Sequence, residues 1–361
     1  MWVFFILLLV PLAIQHFTIK GYNIDYYKRN QRALFFFFAM MTILVALRHE
    51  SIGKDTANYI YYFKRFSNLP WGQLWSESIE WGFTYFNKII SLFSKESQVF
   101  FAITAIVTVA MIYPTYRRLC VDSSLTIVLY VTMSTFIMLF SGIRQMLAIG
   151  IGFIAYECTR NKKLILFIVC VVLAISFHTS AFMLVFMYPL YHAKITKKWL
   201  IAVVPLLLLV FVFNRQIFSA LGLLLAHFTE YHTTITKTGA FTMLILFAIF
   251  AIFAFLIPED STLDAETIGL RNFLLLSVTL QMFAPLHTIA MRMNYYYIIF
   301  IPLLLPKVIQ ARSTRMNQVA IASRYVMVVF FLVYFLFGVY TDCQSGGGAL
   351  DTYPYIPFWA G

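Results

Sequence analysis

Long apolar runs recur along the chain, separated by short clusters of lysine, arginine and small polar residues. A transmembrane helix needs roughly 20 apolar residues, with about 17 to 25 the usual range, and the chain offers that pattern repeatedly. The runs do not alternate in polarity as barrel strands do, and helices satisfy their own backbone hydrogen bonds in lipid. The pattern therefore predicts helical spans near 1–18, 33–47, 98–114, 122–140, 143–158, 163–177, 180–192, 199–213, 240–257, 270–288, 294–311 and 323–340. The segment 180–192 is short, and 216–227 is apolar enough to be a further or re-entrant segment. One span more or fewer would reverse the orientation of everything downstream. The expectation is an all-α polytopic membrane protein of about twelve transmembrane helices, a single integral membrane domain over 1–361, with one large outer loop at 48–97.

Two polar islands interrupt the apolar centre: Ser141-Gly142-Ile143-Arg144-Gln145 and Phe177-His178-Thr179-Ser180-Ala181. Ionisable side chains are costly near hydrocarbon and persist there mainly where they line a polar cavity or do chemistry.

Composition agrees with the pattern. An apolar fraction of 61% against 12% charged residues is more than a soluble domain of 361 residues can hide. The first segment is expected to be a retained helix rather than a cleavable signal, because no positive charge precedes it and Lys20, Lys28, Arg29 and Arg32 follow it. With its N-terminus outside, most lysines and arginines fall on the cytoplasmic side, among them Arg117, Arg118, Lys162, Lys163, Lys197, Lys198, Arg271, Arg312 and Arg315. The acidic stretch from Pro258 to Glu266 breaks that bias, but acidic residues contribute little to topology. The net charge of +12 reflects this bias and attraction to anionic headgroups rather than nucleic acid. Cys120, Cys158, Cys170 and Cys343 are scattered without metal-ligand spacing, so neither a disulfide framework nor a zinc site is expected. There is no Walker A motif, dinucleotide fingerprint or HExxH to indicate ATP, nicotinamide or zinc chemistry.

On this topology the unusual polar residues share the outer face. Arg48, His49, Glu50, Lys54 and Asp55 follow the second span, and Glu80-Trp81-Gly82 lies further along the same loop. The Arg144 and His178 islands, Arg292, and the tail Tyr353-Pro354-Tyr355 join them. Each has a plain alternative. Arg48 at a helix end reads equally as a snorkelling anchor, Asp55 as a solvated partner of Lys54, and His178 as a core histidine satisfied by Thr179 or Ser180. Arg292 and the run Tyr295, Tyr296 and Tyr297 suit an interfacial belt as well as a binding site. Glu80 and Arg144, each with apolar neighbours, favour function. Three arginines facing one cavity suit a lipid diphosphate, since guanidinium offers planar bidentate donors. Tyr59, Tyr61, Tyr62, Trp71, Trp75, Trp81, Tyr353 and Tyr355 are able to stack on sugar rings but suit a membrane interface as well, and a nearby carboxylate or histidine is able to take a proton from a hydroxyl. Asp55 and Glu80 lack the spacing of a metal-binding DxD pair, so transfer without a metal is expected, with no cofactor.

These motifs in this order resemble the EpsG family of Wzy-like polysaccharide polymerases: Arg48-His49-Glu50-Ser51-Ile52-Gly53-Lys54-Asp55 with Asn58-Tyr59, then Glu80-Trp81-Gly82, Ser141 to Gln145, Phe177 to Ala181, Arg292-Met293-Asn294-Tyr295-Tyr296, and Tyr353-Pro354-Tyr355. The resemblance spans nearly the whole chain. It implies a glycosyltransferase-C-like helical bundle in the bacterial inner membrane. It also implies extracytoplasmic polymerisation of repeat units carried on undecaprenyl diphosphate into capsule, exopolysaccharide or O-antigen. Donor and acceptor would both be lipid-linked oligosaccharides, with membrane lipids and a chain-length regulator as further partners. Arg48, Arg144 and Arg292 would bind the donor diphosphate, with Gln145, Tyr59, Tyr295 and Tyr355 as further substrate contacts. Glu80, His178 and Asp55 are the candidate catalytic groups, and the sequence does not choose one base among them. A flippase or transporter for the same lipid-linked sugars, a polysaccharide acyltransferase using His178, and a ligase onto another acceptor remain alternatives. The lack of an internal repeat and the gathering of charge on one face favour an enzyme over a transporter.

Overall fold

A computed structural model of the chain describes residues 2–17, 26–133, 135–224, 237–311, 317–344, 352 and 354–360. Lys20, Arg312, Arg315, Tyr353 and the end of the 216–227 segment lie outside the described residues. The described residues are helical and contain no named strand. In chain order they form α1 (Trp2–Phe17), α2 (Tyr26–Ala46), α3 (Thr56–Asn68), α4 (Trp81–Ser91), α5 (Ser97–Leu119) and α6 (Ser123–Thr132). Then come α7 (Met138–Ser141), α8 (Ile143–Arg160), α9 (Leu164–Ile175), α10 (Met187–His192), α11 (Leu200–Val212) and α12 (Asn214–Leu224). The last are α13 (Lys237–Leu256), α14 (Ala265–Gln281), α15 (Thr288–Ile298), α16 (Ile301–Gln310) and α17 (Asn317–Gln344).

Most predicted spans coincide with a helix, but few of these helices are long. Among the described residues, two stretches, Ser97–Leu119 and Gln318–Thr341, are long and apolar enough to cross a membrane, or up to five if each bent pair counts as one span. Helix length thus supports fewer crossings than the twelve expected. The reason is local breakage. The predicted 122–140 span is divided between α6 and α7, and 294–311 begins earlier and bends by 45° between α15 and α16. The 180–192 segment is a 3-10 helix over Thr179–Phe186 followed by the short α10. The 48–97 region is not a plain loop: it folds into α3, a 3-10 helix over Trp71–Ser76, and α4.

Contacts divide the chain into two compact units, one of residues 1–158, 163–182 and 324–361, the other of 159–162 and 183–323. In the first, α2 packs on α1, α5 and α6 through rings held edge to face, such as Phe38 on Tyr116 at 5.3 Å and Phe37 on Tyr130 at 5.6 Å. Beside it, α3 and α4 bury Tyr59, Phe63 and Phe83 against Phe100 and Phe101 of α5 and Ile143 and Leu147 of α8. The tail closes this unit. Phe358 N–H donates to the Leu47 carbonyl at 2.9 Å, His49 N–H to Ile356 at 2.8 Å, and the Tyr355 hydroxyl to Leu44 at 2.9 Å.

In the second unit α14 is central, packed by α10, α13, α15 and α16. Its Arg271 is fully buried, paired to Asp260 at 2.9 Å, donating to the Ile195 carbonyl at 2.7 Å and lying over the Phe255 ring at 4.0 Å. Asp264 caps α14 by accepting the Thr267 N–H at 2.6 Å. The acidic stretch that broke the charge pattern therefore serves to neutralise Arg271 and start α14.

Candidate active site

The Glu80-Trp81-Gly82 motif owes its form to a close crossing. Glu80 stands at the start of α4, where the chain meets the end of α9. A methyl group on Gly82 would lie 2.7 Å from the Ser176 carbonyl oxygen, and the next residue, Phe83, donates its N–H to that oxygen at 3.3 Å. Only glycine permits that approach. It brings Glu80 against the residues that follow α9: Glu80 Oε1 accepts both the Thr179 N–H and the Thr179 hydroxyl at 3.0 Å.

Arg144 arrives from the other island. The chain breaks at Gly142, whose N–H still donates to Met138 at 2.7 Å, and α8 begins at Ile143. That places Arg144 in the first turn of α8. Its Nη1 meets Glu80 Oε2 at 2.5 Å, and its guanidinium lies 5.9 Å from the centre of the Phe83 ring. Tyr59, buried on α3 with its ring 5.9 Å from Phe83, lies within the electrostatic reach of the same guanidinium. Residues from α3, α4, α8 and the α9 terminus thus meet at one ion pair, whose side chains are about one-fifth exposed.

The electrostatics follow from this packing. Burial works to raise the Glu80 carboxyl, but the Arg144 guanidinium, then His178 and the hydrogen bonds from backbone N–H groups, outweigh it and hold the pKa below the ordinary value of 4.5. Burial pushes the Tyr59 hydroxyl upward despite Arg144 beside it. His178 turns back on its own segment: its Nδ1 accepts the Ser180 N–H at 3.2 Å and stands 2.9 Å from the Ser180 hydroxyl. A backbone N–H only donates, so in the neutral form of the ring Nδ1 carries the lone pair and Nε2 the proton.

Other expected site residues are placed differently. Arg48 is fully buried; its Nη1 donates to the Phe140 carbonyl at 2.6 Å and its guanidinium lies 4.5 Å from the Phe101 ring centre. Burial lowers its pKa to about 9. Its neighbour Gly53, at φ +99°, packs so tightly that a methyl group would meet the same Phe140 oxygen at 2.6 Å. The Arg48-to-Asp55 motif therefore seats the chain on the backbone just before the Arg144 island, with Lys54 N–H donating to Ser141 Oγ at 3.1 Å. Asp55 is half-buried at the start of α3 and makes no side-chain capping bond. Gln145 is buried beside Arg144, and Tyr355 is the tail's clasp, edge-on to Phe4 at 6.3 Å. Arg292 and Tyr295 lie one turn apart on α15, in the second unit.

Thr179, Ser176 and Phe83 complete the cluster; the sequence placed Thr179 in the His178 island only as a partner of that histidine, and did not single out Ser176 or Phe83. The signals were a glycine directly after Glu80-Trp81 and hydroxyl residues directly after His178. Beside the ion pair a cavity of about 310 Å³ is lined by Glu80, Trp81, Val172, Ile175, Ser176 and Thr179. Among the described residues no three histidine, cysteine, aspartate or glutamate side chains gather as metal ligands.

No curated protein and no solved structure matches this chain. The model of the EpsG family matches residues 31–356, nearly the full length and every motif described above, and the chain belongs to the EpsG family.

Proposed function

We propose that this protein is a membrane polysaccharide polymerase that joins oligosaccharide units carried on a lipid diphosphate, on the extracytoplasmic face of the bacterial inner membrane. Family membership supports a polysaccharide-polymerase-like role. The observation that carries the site is the Glu80–Arg144 ion pair held by Thr179, in which three separate motifs, 64 and 99 residues apart along the chain, supply one cluster.

In this reading the acceptor hydroxyl oxygen attacks the anomeric carbon of the donor. The new glycosidic bond forms as the bond to the diphosphate breaks, and the diphosphate leaves with the electron pair. Arg144, in the first turn of α8 with the positive end of the helix dipole behind it, stabilises that departing charge. Glu80, kept ionised by Arg144, accepts a hydrogen bond from the acceptor hydroxyl and takes its proton as the oxygen bonds to the anomeric carbon. A carboxylate of lowered pKa is a weak base, which suits a reaction whose leaving group is already good. His178 presents its Nε2–H as a donor, and Asp55 is the alternative carboxylate. Arg48, bound to main-chain carbonyls, acts as a positioning residue for the Arg144 segment. No metal is required, so polymerisation in washed membranes continues in excess chelator.

The test is the length of surface polysaccharide in a deletion strain carrying Arg144→Ala. Long polymer disappears and single lipid-linked units accumulate outside, while an immunoblot shows the variant in the membrane at the wild-type level. Normal chain length in that strain would overturn the assignment.

A further inference from the structure

Four aromatic side chains pair beside the Glu80 motif in a way the ion pair does not explain, and one of them, Trp81, lines the cavity. Trp71 and Trp75 belong to the 3-10 helix over Trp71–Ser76, while Trp81 and Tyr85 lie one turn apart on α4. They pair across the two elements, Trp75 with Trp81 at 6.3 Å and 35° and Trp71 with Tyr85 at 6.1 Å and 31°. The indoles are left open, with Trp75 70% exposed and Trp81 45%. Trp81 also lines the cavity that holds Glu80 and Thr179. An open aromatic strip thus runs into a pocket ending in a carboxylate.

We infer that this strip and cavity form a saccharide-binding subsite, with Glu80 and Thr179 taking hydroxyls of one sugar ring and Trp81 and Trp75 stacking on the apolar faces of that ring and the next. The carboxylate decides the ligand class. Glu80 Oε1 already accepts the Thr179 hydroxyl, so the cavity suits a ligand that offers hydroxyls, as a sugar ring does. At about 310 Å³ it lies at the lower end of small-ligand pockets, of the order of 300 to 1,000 Å³. The strip is also a poor membrane anchor. Its tryptophans alternate with Gln73, Ser76, Glu77, Ser78 and Glu80, and carboxylates are unfavourable beside anionic headgroups. The exposed surface of α9, by contrast, shows Ile165, Ile168 and Val169 without a charge among them.

The glycan's origin as the polymerase substrate rests on the function proposed above, so the experiment separates the two. The full-length protein is placed in lipid nanodiscs of phosphatidylethanolamine and phosphatidylglycerol. The probe is the set of oligosaccharides released by mild acid from the polysaccharide that the producing strain makes and its deletion strain lacks. Binding is read by saturation-transfer NMR. Trp81→Ala weakens binding about tenfold, the scale of one lost aromatic stack. Trp75→Ala weakens it less, Trp75→Tyr restores it, and Trp75→Ala shortens the polymer in cells. Unchanged binding in both alanine variants would overturn the subsite even with Arg144→Ala still blocking polymerisation. Quenching of Trp75 fluorescence by brominated phosphatidylcholine in vesicles would overturn it in favour of a lipid anchor.

Discussion

Glu80 shows how one side chain acquires its chemistry from residues far away in sequence. Its carboxyl lies below the ordinary value of 4.5 because Arg144 and the Thr179 donors favour the charged form. A depressed carboxyl stabilises the fold above the unfolded-state pKa of about 4.3, and that contribution is lost as pH falls through the lower folded-state value. Glu80→Gln in detergent therefore lowers the thermal midpoint at neutral pH. The pair is partly buried, so its loss costs about 1 to 3 kcal/mol, between an exposed pair and a fully buried one. The gap to wild type narrows only below about pH 4.3. A gap that persisted unchanged at pH 3 would show that the pair is not its source. Arg144→Lys keeps the charge but loses the planar fork that meets Glu80, so polymer yield falls roughly tenfold or more, a cost on the scale of one charge-assisted hydrogen bond. Chain-length analysis checks it. Glu80, Arg144 and His178 were legible as polar residues in apolar surroundings. Arg48 was misleading for the same reason: its partners, the Leu139 and Phe140 carbonyls, lie 91 and 92 residues along the chain and leave no local trace.

At the scale of elements, the region 48–97 reads as a loop because a search for long apolar runs passes over short amphipathic helices. Yet Tyr59, Ile60, Phe63, Phe66 and Ser67 are buried along α3 at helical spacing. The period was present in the sequence and too short to suggest a span. What no periodicity reveals is how α4 meets α9, which depends on one missing side chain. Gly82→Ala drives a methyl group into the Ser176 backbone, which cannot swing aside as a flexible side chain would. It costs about 1 to 3 kcal/mol as overpacking and moves Glu80 off Thr179, so thermal stability and polymer length fall together. Gly72→Ala meets nothing within 4 Å and leaves both unchanged. The contrast separates a packing requirement from a general intolerance of the loop to substitution.

At the scale of the whole molecule, hydropathy identified the helical class and most helix positions, but it counts apolar residues without seeing where a helix stops. α1, of 16 residues, extends about 24 Å, and α9, of 12 residues, about 18 Å. Both fall short of a hydrocarbon core about 30 Å thick. Crossing number therefore depends on how broken segments combine, whereas sidedness depends on charge. The turn between α8 and α9 carries Arg160, Lys162 and Lys163, with Lys162 in the left-handed conformation at φ 57°. The Glu80 region and the segment after α9 sit together at the opposite end of α9, because Phe83 N–H is bonded to Ser176. Arg144 and Arg160 also lie at opposite ends of the 18-residue α8, so if the basic turn is cytoplasmic and α8 crosses the membrane, the Glu80–Arg144 pair faces outward. Single cysteines at Ser78 and Lys162, both exposed, introduced after the four native cysteines are replaced by serine, test this in intact cells with a membrane-impermeant maleimide. Ser78→Cys labels directly, and Lys162→Cys labels only after permeabilisation. The reverse result would place the ion pair in the cytoplasm and remove the proposed extracytoplasmic reaction with it.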